Sequence, residues 1–243
     1  MTEGLRLNET PSPETSQGEV FLAGEADCWF KRNSDARSDE EREPAADISF
    51  LLKVLSPHRS CINSILEIGC CDGLKLHQLC RGLEAVGKGI DPSSDAVKSG
   101  NERFGPRGIE LKAGLANRLP YEDKSFDLVY FGFCLYLVDR RDLFDSLNEA
   151  HRVLKPGGFL AITDFDPALP HARPYHHRPG VKSYKQDYAA ALISPGYYQL
   201  AYKQSFSHSQ DFFDTNSDER VSTSVLFKEV TNTGVTPINL GEL

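Results

Sequence analysis

From Ser64 onward, short apolar runs alternate with segments whose apolar residues recur every three or four positions. That rhythm predicts strands separated by helices. Ser64 to Ile68 has the length of a buried strand, and Leu74 to Leu83 has helical spacing. Gly87 to Ile90 predicts a second strand ending at Asp91, followed by a helix over Ser93 to Arg103 with Ser94 as its cap. Gly108 to Lys112 and the strongly apolar Phe126 to Phe131 predict the third and fourth strands. Arg141 to Leu154 reads as an amphipathic helix stopped by Lys155-Pro156-Gly157-Gly158, and Phe159 to Thr163 as a fifth strand. Strands joined by crossover helices require a parallel sheet covered on both faces, the doubly wound arrangement.

The two ends follow other rules. Residues 1–18 are rich in Glu, Thr, Pro and Ser and predict a disordered tail, with order beginning near Glu19. Glu25 to Asn33 predicts a short helix with Trp29 and Phe30 on one side, and Asn33 to Pro44 a charged connector. Ile48, Leu51, Leu52 and Leu55 then recur at helical spacing until Pro57 stops them. After the fifth strand, Pro167 to Gly180 predicts a long loop containing His171, His176 and His177. Tyr197 to His208 and Glu219 to Val230 alternate, and predict antiparallel strands completing one sheet edge.

Charge narrows the function. The chain of 243 residues carries a formal net charge of −8, with no cluster of Lys and Arg larger than a pair, which argues against nucleic acid as a partner. No apolar run approaches the roughly 18 residues of a membrane span, and the first twenty residues do not resemble a secretory leader. A cytoplasmic protein, monomeric or homodimeric, with no membrane or nucleic-acid partner is therefore expected. Its six cysteines, Cys28, Cys61, Cys70, Cys71, Cys80 and Cys134, lack paired zinc-type spacing and read as reduced thiols, so no metal is expected.

In a doubly wound sheet, ligands bind beyond the carboxyl ends of the strands where strand order reverses. The first such turn is Glu67-Ile68-Gly69-Cys70-Cys71-Asp72-Gly73. Gly69 permits a tight turn and Gly73 a close backbone approach at the helix start. The three-glycine phosphate turn of dinucleotide enzymes is absent, which disfavours a nicotinamide-dependent dehydrogenase. Asp91 ends the second strand, where a carboxylate accepts from both ribose hydroxyls of an adenosine-containing cofactor. Taken alone, Asp91 reads equally as a helix cap beside Pro92.

The succession Leu66-Glu67-Ile68-Gly69, Gly89-Ile90-Asp91-Pro92, Leu119-Pro120-Tyr121, Ser125-Phe126-Asp127-Leu128-Val129 and Arg152-Val153-Leu154-Lys155-Pro156-Gly157-Gly158 resembles the class I S-adenosylmethionine-dependent methyltransferases, in particular the small-molecule type 11 group. The resemblance implies a Rossmann-like α/β fold: a doubly wound, mostly parallel seven-stranded sheet with an antiparallel C-terminal edge. It implies one methyltransferase domain over residues 19–243, with an N-terminal helical lid segment (19–60), a cofactor core (61–165), and a substrate loop with C-terminal strands (166–243). The implied cofactor is S-adenosyl-L-methionine, leaving as S-adenosyl-L-homocysteine. Glu67 and Gly69 would border its methionine part, with Cys71 and Gly73 completing the turn. Asp91 would hold the ribose, and Pro92 would lie against adenine, faced by Leu115 and Ala116. Phe131 and Gly132 would approach the amino group through backbone carbonyls, and Tyr136 would face the transferred methyl. Two positions depart from the pattern: Cys71 replaces a usual Gly, and Leu115 a frequent Asp that would accept from the adenine amino group. The second change costs about 1 kcal/mol of cofactor affinity.

Transfer then needs an aligned nucleophile, with a base where the acceptor is a hydroxyl or a protonated amine. His176 and His177, with His171, are the candidate bases, and Arg178 a candidate anchor for an anionic substrate; a polar surface loop is the competing account. Trp29 either lids the cofactor or simply docks its helix. Tyr184, Lys185, Tyr188 and Tyr197 either line the acceptor pocket or pack elsewhere. Methyl transfer to an oxygen or nitrogen of a small molecule, a natural product or sugar, is the leading expectation. A cofactor-binding regulatory protein without transfer and an enzyme using the cofactor for other chemistry are the alternatives.

Overall fold

The computed structural model describes residues 15–34, 43–194 and 196–230. Most of the expected tail and connector lies outside these residues. The placed part of the tail is already helical: Ser16 caps α1 (Gln17–Val20) with a reciprocal box to Glu19, two residues before the order predicted from Glu19. A π-helical turn, Phe21–Glu25, bends at Gly24 (φ 132°) into α2 (Ala26–Asn33). α3 (Ala46–Leu55) is the next helix among the described residues.

The alternating core then begins with β1 (Ser64–Ile68), α4 (Leu74–Leu83), β2 (Val86–Asp91), α5 (Ser94–Phe104) and β3 (Ile109–Ala113). β4 (Phe126–Gly132), α6 (Leu143–Val153) and β5 (Leu154–Phe165) complete the parallel part. The cap of α5 is Ser93, whose hydroxyl accepts from Ala96 N–H, one residue before the expected Ser94. After β5 comes a hairpin, β6 (His171–Pro174) with β7 (Lys182–Lys185), and β6 falls inside the Pro167 to Gly180 segment that the sequence predicts as loop. Pro174 is tolerated there because the hairpin is only two strands wide. A short α7 (Ala190–Ile193) precedes β8 (Tyr198–Ser207) and β9 (Arg220–Lys228).

The seven-stranded sheet has the order β3-β2-β1-β4-β5-β9-β8. β1 to β5 pair in parallel, and β9 runs antiparallel to both β5 and β8. The strand period of two divides the central residues between two cores. Ile65, Leu128 and Tyr130 face α3 and α4. Leu66, Val129 and Phe131 face Leu143, Leu147, Ala150 and Val153 of α6. Those α6 residues repeat every three or four positions and are nearly or fully buried, so truncating one of its leucines to Ala costs roughly 2–5 kcal/mol. Strand order reverses between β1 and β4, which opens a crevice at their carboxyl ends.

Candidate active site

Above the β1 and β4 ends lies a cavity of about 450 Å³, within the range of small-ligand sites. Its floor is the β1–α4 turn. Gly69 adopts φ 76°, and a Cβ there would lie 2.5 Å from Cys134 Cβ, so only glycine fits. Cys71, where a glycine was the expectation from resemblance, also adopts a left-handed φ of 52°. That conformation costs a side-chain-bearing residue about 1–2 kcal/mol, which gives the usual glycine its reason.

Asp91 holds the turn in place. One of its carboxylate oxygens accepts from Cys71 N–H and the other from Ser93 N–H, each at 2.8 Å. A carboxylate fixed in this way suits two vicinal hydroxyls. Glu67 is 1% exposed, and its carboxylate sits where a Cβ on Gly132 would meet it at 2.4 Å. Glu67, Gly69, Cys71, Asp91, Pro92, Leu115, Ala116, Gly132, Trp29 and Tyr136 all line the cavity. Gly73 and Phe131 do not: Gly73 (φ 74°) sets the start of α4, and the Phe131 ring belongs to the α6 core. The turn, the acid and the shape fit an adenosine cofactor bearing a cationic sulfur.

The N-terminal segment roofs this space. Asp27 accepts from Ser93 hydroxyl (2.6 Å) and Asp95 N–H (3.0 Å), tying α2 to the start of α5. Trp29 and Tyr136 both line this space, and burial pushes the Tyr136 hydroxyl well above its ordinary pKa. Gln17 donates to Leu137 O (2.8 Å) and Lys182 O (3.1 Å) and accepts from Lys182 N–H (2.7 Å). Gly18 packs against Leu115, so the leucine that replaces a usual carboxylate meets the roof.

The histidine loop lies outside the lining. His176 and His177 are exposed and lie tilted against each other, with centroids 3.9 Å apart, beside Tyr175. Tyr175 belongs to the roof: it packs with Val20, Phe21, Ala26 and Val181, and its hydroxyl accepts from Arg32. Arg178 is buried and His171 lies beside Asp218, both away from the cavity. Tyr188 is buried in the α6 core with its hydroxyl on Tyr184 O, Tyr184 lies under Arg140, and Tyr197 is exposed. Lys185 sits over the Phe165 ring and donates to Asp218 O.

Several lining residues carried no sequence signal. Asp47 of α3 accepts from Lys75 Nζ (2.5 Å) and from the Tyr130 hydroxyl (2.7 Å). Burial opposes its ionisation, but these two partners outweigh burial and hold its carboxyl below the usual range. Phe206 to Asp211, at the end of β8 and just beyond it, form another wall. Behind them, burial pushes Asp164 up to about 7, against the backbone N–H groups of Phe165, Tyr136 and Leu135 that it accepts from.

Residues 66–162 match the family model described as "Methyltransferase domain". A fatty-acid O-methyltransferase of Mycolicibacterium smegmatis is 38% identical over 104 residues, covering 42% of this chain and 37% of that protein. A 2-phytyl-1,4-naphtoquinone methyltransferase of Nostoc punctiforme is 30% identical over 162 residues, covering 63% and 64%. The chain thus spans about a third to two thirds of the length of these relatives. The solved 1,6-didemethyltoxoflavin-N1-methyltransferase of Burkholderia thailandensis, with bound S-adenosylhomocysteine, shares the fold. Its TM-score is 0.66 at 15% identity, covering 90% of this chain and 93% of that one. No helix among the described residues is long and apolar enough to cross a membrane.

Proposed function

We propose that this chain, whose residues 66–162 belong to the class I S-adenosylmethionine-dependent methyltransferases of the type 11 group, transfers a methyl group to an oxygen or nitrogen of a small-molecule acceptor. The observation that carries this reading is the Asp91 carboxylate, fixed by Cys71 and Ser93 N–H at the mouth of the strand-order switch. The matched relatives act, by their names, on a fatty acid and a naphthoquinone, and small molecules are common to both.

When bound, the cofactor supplies an electrophilic methyl carbon on a sulfonium. The chain's contribution is position, field and dryness. Glu67 and Asp91 put negative charge along the cavity, which favours a cationic sulfur and ammonium. The roof formed by Phe21, Ala26 and Trp29 limits water above the turn. His176 and His177 stay candidates only through a rearrangement of the hairpin; in the described arrangement they do not reach the cavity.

Incubation with methyl-labelled S-adenosylmethionine and a panel of small hydroxyl and amine compounds tests the reading. Label in a small-molecule product, with equal S-adenosylhomocysteine released, is the expected result. Binding of the cofactor with label reaching no acceptor would favour a regulatory protein or other cofactor chemistry.

A further inference from the structure

Beyond the end of β4 the cavity wall becomes aromatic. Phe133 takes φ 66°, a left-handed conformation costly for a residue with a side chain. Its ring meets Tyr136 at 5.2 Å and Phe165 at 5.0 Å between centroids, both tilted. His208, from the segment joining β8 and β9, lies stacked on Phe133 (5.5 Å, 19°) and tilted against Phe165 (5.4 Å). Phe206 and Val221 complete the patch. His208 lines the cavity, and its side chain is half exposed. Its Nδ1 lies 4.0 Å from Glu219 Oε2, and its backbone N–H donates to Glu219 O at 2.8 Å. With Nδ1 turned to that carboxylate, Nε2 is the nitrogen available to a bound molecule.

The charge of the cavity decides between acceptor classes. Its lining includes Asp47, Glu67, Asp91, Asp139, Asp142 and Asp211. Against them, histidine aside, Lys75 is the one cation among the described lining residues, and Asp47 engages it. A carboxylate acceptor would enter against this field, whereas a neutral ring would not. Flat aromatic faces at tilted spacing favour a planar partner over a flexible chain.

We propose that His208 is the base for a neutral, planar hydroxyaromatic acceptor lying along Phe133 and Tyr136, a reading that rests on the methyl-transfer function above. The acceptor hydroxyl gives its proton to His208 Nε2. The oxygen electron pair forms the bond to the methyl carbon, and the sulfur–methyl pair stays on sulfur as a neutral thioether. The imidazolium then returns its proton to solvent, which reaches this half-exposed side chain.

The test uses the full chain saturated with S-adenosylhomocysteine and three probes: 2-naphthol, 2-methoxynaphthalene and dodecanoate. Binding is read by calorimetry and by Trp29, the single tryptophan of the chain. The wild type binds 2-naphthol about tenfold tighter than 2-methoxynaphthalene, the value of one hydrogen bond. His208→Phe keeps the ring stack and S-adenosylhomocysteine affinity but loses that preference. Labelled-methyl transfer to 2-naphthol falls at least about 100-fold in His208→Phe, and added imidazole partly restores it in His208→Gly. Tighter binding of dodecanoate, no binding of 2-naphthol, or a hydroxyl preference or transfer rate that survives in His208→Phe overturns the proposal. Failure of the wild type to bind S-adenosylhomocysteine would instead overturn the methyl-transfer reading beneath it.

Discussion

Gly132→Ala isolates one steric contact at the centre of the site. Gly132 ends β4 with an ordinary negative φ, so alanine brings no backbone strain, only a methyl group. That methyl would lie 2.4 Å from Glu67 Oε1, 3.3 Å from Cδ and 3.5 Å from Cγ, where contact needs about 3.4 Å or more. Glu67 is 1% exposed and borders the cavity, so its carboxylate relieves the clash only by leaving its buried place against β4 for the space the cofactor needs. Overpacking of this kind costs about 1–3 kcal/mol. In a Glu67→Ala background the obstructing atoms are gone, and the same substitution is close to neutral. Urea denaturation of the four members of this cycle should therefore give a coupling of about 1–3 kcal/mol. Additive effects would refute the Glu67–Gly132 contact and the cavity shape built on it.

Three further outcomes follow from the same geometry. Gln17→Ala removes three hydrogen bonds that pin the roof to Leu137 and Lys182. Residues 17–33 should exchange amide hydrogens faster while the sheet does not, and unchanged protection would show that the roof is held otherwise. Asp164 has its folded pKa raised to about 7 from an ordinary 3.8, so the folded state holds its proton more tightly than the unfolded chain does. Its stability contribution is complete below about pH 4 and is lost as pH rises to about 7, by up to about 4 kcal/mol. The stability difference between wild type and Asp164→Asn should fall across that window, and a constant difference contradicts the assignment. Replacing both His176 and His177 with Gln should leave transfer rates within about twofold, as for other exposed positions; a larger loss would return them to the chemistry.

Periodicity made the parallel sheet legible because its central strands β1 and β4 are mostly buried apolar runs, as in Ile65–Ile68 before Gly69. The hairpin Lys182–Lys185 with His171–Pro174 was not legible. It is short, polar and partly proline, and its reason lies in docking against Phe21 and Gln17, over 150 residues earlier. Ser93 rather than Ser94 caps α5, because Asp91 and Asp27 both draw on Ser93, which no local pattern reveals. At the site, the Glu67-to-Gly73 turn and Asp91 announce themselves through strand-turn-helix context. Asp47, Lys75 and His208 do not, since each is an isolated polar residue brought in by sheet order rather than by spacing.

The proposed methyl transfer needs a cofactor held by Asp91 beneath the Trp29 roof. Titration of S-adenosylhomocysteine into wild type and Asp91→Ala, read by heat and by Trp29 fluorescence, addresses that directly. Saturable binding that perturbs Trp29 is predicted for the wild type, weakened at least about tenfold in Asp91→Ala while the circular dichroism is retained. No binding by the wild type, or equal affinity in the variant, would contradict it.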